Sequence, residues 1–366
     1  MSLQSALVVG AGLIGTSVAM ALTDAGTAVW IEDVDQGRAR VASELGAGRT
    51  GRPPEEPDIV IVAVPPGAVG SVVQELSGIY LRCIFTDVAS VASIPQADVE
   101  SLGHDVAQRF VGGHPMSGLE RSGPAAARAD LFRDRPWVLT PGRESSQRAL
   151  GRARAVVAAC GADLVEMSPQ RHDEAVALVS HVPQLVSSLT AARLEDQPED
   201  LVALSGPGVR DVTRIAASDP DLWTGILDAN ASAVLPVVED LRRQLDDVAA
   251  ALATLASRGA GSDEQEQARA SVRRALAGGV RGRARIPGKH GGRPTQFAVV
   301  TVVVADQPGE LARIFAAAAA ASVNIEDVTL EHASGHPLGS LLLQVQAGSV
   351  GALVEALSRE GWTVHS

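Results

Sequence analysis

Two histidines, a serine and an arginine carry the chemistry this chain can offer. His114 lies in "FVGGHPMSGLERSG", residues 110–123, between a glycine pair and a proline at the end of a strand-like run. Imidazole is the side chain best suited to take a proton from an alcohol near neutral pH, the step that hydride removal from a carbinol carbon requires. The plain alternative is a loop histidine with a turn around it. His181 stands in "VSHVPQ", inside a helical pattern interrupted at Pro183 and followed by Gln184. It either contacts a ligand or sits half-buried and hydrogen-bonded. In "SGPGVRDVTRIAASDPDLW", Arg210, Asp211 and Arg214 fall at i, i+1 and i+4, so a helix lets Asp211 pair with Arg214. A guanidinium held that way suits bidentate carboxylate binding, whereas a surface ion pair has little consequence. Ser90, in "TDVASVAS", follows a strand and either hydrogen-bonds a ligand or caps the next helix. A metal site is not expected: His172 and His181 are nine residues apart, which puts them on opposite faces of an ideal helix, and no HxxxH spacing occurs in that helical stretch.

Hydride chemistry needs an acceptor, and the N-terminus supplies a place for one. "VVGAGLIGTSVAMALTDAG" carries Gly10, Gly12 and Gly15 in a GxGxxG pattern directly after a strand, with Leu13 and Ile14 opening a helix. The first glycine makes the turn, the second lets backbone approach a pyrophosphate, and the third lets helix pack on strand. The helix N-terminus then presents free N–H groups to the phosphates. The next strand ends in Glu32 and Asp33. A carboxylate there hydrogen-bonds adenosine ribose hydroxyls and repels a 2′-phosphate, which favours NAD over NADP. Asp33 is the expected partner, with Glu32 as the alternative. A later strand ends at Val64 and Pro65, which are expected to line the same cofactor.

The elements that must position these groups fall into four stretches. Residues 1–165 alternate strand-like runs with amphipathic helices, which implies crossover units and a Rossmann-like, doubly wound parallel sheet covered on both faces. Residues 166–262 lose the strand signal and read as an all-helical substrate and dimerisation domain. Residues 263–295 read as a basic, glycine-rich linker, either solvated or closing over an anionic ligand. Residues 296–366 read as strand, helix, strand, strand, helix, strand, a small α+β unit.

Composition removes other classes. A formal charge of −12 argues against general nucleic-acid binding or a polybasic membrane surface. Lys289 is the only lysine. Cys83 and Cys160 lack ligand spacing and read as buried small hydrophobes in a reducing compartment. The N-terminus has no basic leader, and no apolar run reaches the roughly 18 residues that cross a bilayer, so a cytoplasmic protein is expected.

Taken in order, the glycine fingerprint, "DVASV", "FVGGHPMSGLERSG", "HDEAVALVSHVP" and "RDVTRIAASDPDLW" resemble the prephenate and arogenate dehydrogenases of tyrosine biosynthesis over nearly the whole chain. The resemblance implies an NAD-dependent oxidative decarboxylation that leaves an aromatic ring. It implies that His114 deprotonates the ring hydroxyl with Ser90 assisting its orientation, that His181 contacts substrate, and that Arg214, steadied by Asp211, binds a substrate carboxylate. Trp223 would lie near the partner subunit of a homodimer. Many prephenate-using members carry histidine where Gln184 stands, which leaves open whether the substrate bears the pyruvyl side chain of prephenate or the aminated one of arogenate. Pro207 in "SGPG" also departs from the family's glycine run.

The tail resembles an ACT domain, a ligand-sensing module. Asp306, Pro308, Gly309, Glu310 and Leu311 form a turn and helix start, and Asn324 and Ile325 open the next strand. The resemblance implies tyrosine as a feedback effector, with a purely structural dimerisation module as the alternative. A β-hydroxyacid dehydrogenase would need a catalytic lysine in the helical domain, and residues 168–260 contain none. An inactive sensor of NAD and an amino acid would have no need of Ser90, His114, His181 and Arg214 together.

Overall fold

The computed structural model describes residues 3–117, 123–257, 259–286, 297–332 and 338–365. It divides into two compact units, residues 1–243 and 244–366.

The first unit is built on strands β1 (Ser5–Val9), β2 (Ala28–Glu32), β3 (Arg49–Thr50), β4 (Ile59–Val62), β5 (Ile84–Asp87), β6 (Phe110–Pro115), β7 (Pro136–Thr140) and β8 (Asp163–Glu166). Their order in the sheet is β3-β2-β1-β4-β5-β6-β7-β8. Pairing is parallel except between β6 and β7. β3 and β8 were not among the strand-like runs; β3 is two residues long and β8 carries acids at both ends. Alternate residues on the central strands feed two cores. Val8, Ile59, Ile61 and Ile84 pack on one face. Leu7, Val60, Val62 and Phe85 pack on the other. Burial on both faces explains why these strands read as continuous apolar runs.

Helices complete this unit. Ser168 caps the helix Pro169–Val176 by accepting the Arg171 N–H, and Pro169 fills the first turn, where its missing N–H costs nothing. That helix runs through a π-helical turn, Ala177–His181, into Val182–Ala192. Pro183 cannot donate back to the preceding turn, and this loosens the chain there. The continuous helix Pro169–Ala192 is, by length and composition, long and apolar enough to cross a membrane, contrary to the sequence expectation. Its buried positions include a polar set, however: His172, Asp173, His181, Gln184 and Ser187. The first four of these are held by other parts of the unit, as a core helix requires.

The second unit carries β9 (Phe297–Ala305), β10 (Ile325–His332), β11 (Leu338–Gln346) and β12 (Thr363–His365) in the order β10-β11-β9-β12, all antiparallel. Helices Glu310–Ala320 and Val350–Arg359 cover one face through Ile314, Ala318, Leu353 and Leu357. The expected element order is present. The stretch read as a basic linker is different: Ser262–Arg283 is a 22-residue helix. Its Ala, Arg, Gln and Glu residues are strong helix formers, and the Glu264 carboxylate accepts the Gly261 N–H at its start. The division between the two compact units falls inside the helix Ala231–Ala256. The rest of the stretch, residues 287–296, lies outside the described residues, as does 118–122 within "GLERSG".

Candidate active site

The glycine loop follows β1 with the geometry a dinucleotide needs. Gly10 has φ +106°, and a Cβ there would lie 2.2 Å from the Ala63 carbonyl oxygen. A Cβ at Gly15 would lie 2.0 Å from the Gly10 oxygen. A Cβ at Gly12 would meet nothing within 4 Å, which leaves the face toward a pyrophosphate open. Leu13 and Ile14 begin the helix Leu13–Asp24, whose N-terminus has no side-chain cap. Its N–H groups therefore face outward for an anion. The two candidate acids separate cleanly. Glu32 accepts from Arg52 at 2.8 Å, and Arg52 also donates to Glu75. These two bonds raise the guanidinium pKa further above its already high ordinary value. Asp33 instead accepts the Ala11 N–H on Oδ2 at 2.6 Å and the Asp35 N–H on Oδ1 at 2.8 Å, which places its carboxylate against the glycine loop. Val64 is half-buried and Pro65 exposed, just beyond β4. The cradle fits NAD. Asp33→Ala is expected to raise the NAD dissociation constant about ten- to a hundredfold, since hydrogen bonds to charged groups contribute about 1.5–3 kcal/mol. Isothermal titration with NAD and NADP checks this, and NADP binding is expected to fall far less.

At the other end of the sheet, β6 delivers His114 to a line of hydrogen bonds. His114 Nδ1 is 2.8 Å from His172 Nε2. His172 Nδ1 is 2.8 Å from Asp173 Oδ1. Asp173 also accepts the backbone N–H groups of Ala92 and Ser93, both at 2.8 Å. The chain of partners assigns the tautomers. The Asp173 carboxylate can only accept, so His172 Nδ1 carries the proton and its Nε2 accepts. His114 Nδ1 must then donate, which leaves the lone pair on His114 Nε2 free. Burial, with the neighbouring His172 and His181, pushes His114 down to about 3, so the imidazole is neutral and its Nε2 lone pair is open to a proton. Burial alone would raise Asp173, but hydrogen bonds from His172, Ser93 and Ala92 outweigh it and hold the carboxyl below its usual range.

His181 is 2% exposed. Asn230 Nδ2 donates both to the His181 Nδ1 and to the Asp173 carbonyl, each at 3.0 Å. His181 Nε2 therefore carries its proton and is a donor. Burial lowers its pKa below the usual histidine value. Trp223 stands edge-on to His181, with ring centroids 6.0 Å apart. The structure thus joins His172 to His181 through Asp173 and Asn230, contrary to the expectation of opposite helix faces. The π-helical turn explains it: one extra residue removes about 100° from an offset of about 180°.

Other expected residues take different places. Gln184 is buried and donates to the Ile215 carbonyl at 3.0 Å, so it anchors the 3₁₀ turn Arg214–Ala217. Arg214 is exposed at the first position of that turn. Asp211 is exposed on the helix Pro207–Thr213, and no ion pair between it and Arg214 is among the described contacts; the helix ends before Arg214, which breaks the assumed register. Ser90 is half-buried between β5 and the Asp173-bound amides. The described orienting bond of His114 comes from His172, not Ser90. His172 entered the sequence reading only as a rejected metal ligand, and Asp173 and Asn230 had no assigned role. Gln184→Ala is expected to raise KM by up to about tenfold with a smaller change in kcat, because it frees the turn bearing Arg214 by about 1 kcal/mol; steady-state kinetics in both parameters tests it.

Residues 18–166 match the family model for the prephenate dehydrogenase nucleotide-binding domain, and residues 168–268 match the one for the prephenate dehydrogenase dimerization domain. A probable prephenate dehydrogenase, NovF of Streptomyces niveus, is 35% identical and aligned over the full length of both chains. This chain belongs to the prephenate dehydrogenase family. The prephenate dehydrogenase of Bacillus subtilis is 30% identical over 88% of this chain and 87% of its own. Among solved structures, prephenate dehydrogenase from A. aeolicus in complex with hydroxyphenyl propionate and NAD+ superposes with a TM-score of 0.64 at 27% identity, covering 76% of this chain and 99% of that one. Synechocystis arogenate dehydrogenase gives 0.59 at 29% identity, covering 68% and 92%.

Proposed function

We propose that the protein oxidatively decarboxylates prephenate to 4-hydroxyphenylpyruvate, with His114 as the base. The observation that carries this reading is the hydrogen-bond line from Asp173 through His172 to His114, which leaves one unprotonated ring nitrogen free. NAD, when bound, supplies the hydride acceptor. His114 Nε2 takes the proton of the ring hydroxyl as the carbinol carbon gives up its hydride. His114 can hand its Nδ1 proton to His172, whose positive charge then faces Asp173. Loss of the ring carboxylate as carbon dioxide leaves a phenolate, which takes the proton back from His114. No net proton is released, so one base suffices for both directions of transfer. Arg214 binds a substrate carboxylate, His181 donates to the substrate from Nε2, and Ser90 contributes a hydroxyl to the same loop.

Arogenate is the second reading, favoured by one observation: the position that carries histidine in many prephenate users is Gln184, committed here to the Ile215 carbonyl. Mixing the protein with NAD and each substrate in turn, and following NADH formation, decides between them. Absence of NADH from both would remove the dehydrogenase reading. The protein acts as a cytoplasmic homodimer in this proposal, supported by exposed Leu178, Val179 and Leu189 on the helical part.

The second unit is proposed to be an ACT-type regulatory domain for tyrosine. A small hollow lies beside Ala305, Asp306, Gln307, Glu310, Leu311 and Leu330, and Gly309 turns with φ +93° at the helix start. Pro308 is exposed in the same turn. Glu310 accepts from Arg313 and from the Trp362 indole, and Asn324 donates to Glu326 beside Ile325. Tyrosine is expected to inhibit and to raise the thermal midpoint; no effect on either at millimolar levels would remove this role.

A further inference from the structure

Asp87 ends β5 and is 1% exposed. Its Oδ1 accepts the Gly113 N–H at 2.8 Å, and Gly113 is the residue before His114. Its Oδ2 is buried with no hydrogen-bond partner among the described residues. Among the described residues no cation pairs with this carboxyl group. On β4 its neighbour is Val62, and β7 brings Trp137 and Thr140 to the adjoining glycines. The helix Gln147–Ala159 turns Ala149 and Ala153 inward, while its Arg152 pairs with Asp58 and its Arg154 with Glu166. The helix Ser93–Ser101 directs Asp98 at Gly70 and Glu100 at Gln96. The titratable groups nearby are Asp173, His172 and His114, and the Asp173 carboxylate repels a second negative charge.

Two carboxyl groups therefore clamp the loop 88–92. Asp87 holds its start and, through Gly113, the strand that delivers His114. Asp173 holds its end through the Ala92 and Ser93 amides. Asp173 has donors on both oxygens and carries the charge. Among the described residues Asp87 has one oxygen without a partner and no counterion, an arrangement that an ionised carboxylate tolerates poorly in the interior.

We infer that Asp87 works as a neutral carboxylic acid and is the positioning residue that fixes His114 and the Ser90 loop. The inference rests on His114 being the base. Burial, reinforced by Asp173 and opposed by the Gly113 and Ala89 amides, pushes Asp87 up to about 7. Above that value a second enclosed charge beside Asp173 drives water or a shift of β6 into the site, and turnover falls.

Asp87→Asn and Asp87→Ala, made in the full chain, test this. Asparagine keeps an acceptor for the Gly113 N–H and stays neutral at every pH; alanine offers no acceptor. Asp87→Ala is expected to lower kcat by roughly tenfold or more with little change in NAD affinity, because a misaligned base loses rate rather than cofactor binding. Asp87→Asn is expected to recover most of that loss and to abolish the alkaline decline of kcat that wild type shows above about 7. An Asn variant as slow as the Ala variant, or one whose alkaline decline is unchanged, overturns the inference. Thermal midpoints give a readout independent of turnover. A folded-state pKa raised above the unfolded one means the native state holds an extra proton, so wild-type stability relative to Asp87→Asn must fall as pH rises from about 4 to about 7. A flat difference across that window shows an ordinary ionised Asp87 and overturns it as well. Failure of wild type to make NADH would instead remove the functional reading, and the midpoint comparison would still judge Asp87.

Discussion

His114→Ala lowers kcat by about 10²–10⁴ and leaves NAD affinity essentially unchanged, the size that removal of a general base produces. The separation follows from geometry. The NAD cradle uses Gly10, Gly12, Gly15 and Asp33, none of which touches His114 in the described contacts. The effect should fall on kcat and on kcat/KM alike, since the base acts on the transition state and not on binding. Isothermal titration with NAD and steady-state rates on the same preparation measure both. A kcat within about threefold of wild type would take the base role away from His114.

Asp173→Asn has the second largest expected effect. An amide in place of the carboxylate can donate to His172 Nδ1, which forces the His172 proton onto Nε2 and then the His114 proton onto its Nε2. The lone pair that faced the substrate is lost, although every heavy atom stays in place. A comparable tautomer error in a serine-protease triad costs about 10⁴ in kcat, and a loss of about 10²–10⁴ is expected here. Stability falls too. Asp173 accepts from both Ala92 and Ser93, and an amide leaves one of those buried donors unsatisfied, at about 1–3 kcal/mol. The pH dependence has a definite sign. The folded carboxyl lies below its ordinary value, so its contribution is present above about pH 4 and is lost as pH falls through the lower folded value. The variant's thermal midpoint should therefore drop less on acidification than that of wild type. Combined with His114→Ala it should add little further loss of rate, since both act on one proton path.

What was legible in the sequence is what sterics and local chemistry dictate. Gly10 and Gly15 sit where a Cβ would overlap backbone at 2.2 and 2.0 Å, and that requirement shows in residue identity alone. His114, set off by glycines and proline, was visible for the same reason. Asp33 was expected with Glu32 kept as the alternative, because what occupies Glu32 is Arg52, twenty residues away and brought beside it only by the sheet. Asp87 gave no signal, since a buried carboxyl and an exposed one are the same letter. The basic helix Ser262–Arg283 was misread because its glycines and arginines were counted as linker composition, while Ala and Gln between them sustain helical hydrogen bonding. His172 and His181 were in view but were placed with an ideal helical wheel. Pro183, noted as an interruption, was the available clue that the wheel would not hold.

The turn Ala177–His181 also sets how this site can vary. His172 bonds His114 and His181 meets Asn230, and both histidines stand on one unbroken helix. Their phase is set by the count of residues through the π-helical turn. Removing one residue returns the turn to α-helix, and eight steps of about 100° keep the same offset of about 80°. Adding one swings His181 about 100° away from Asn230. The segment therefore accepts a shorter spacing and resists a longer one.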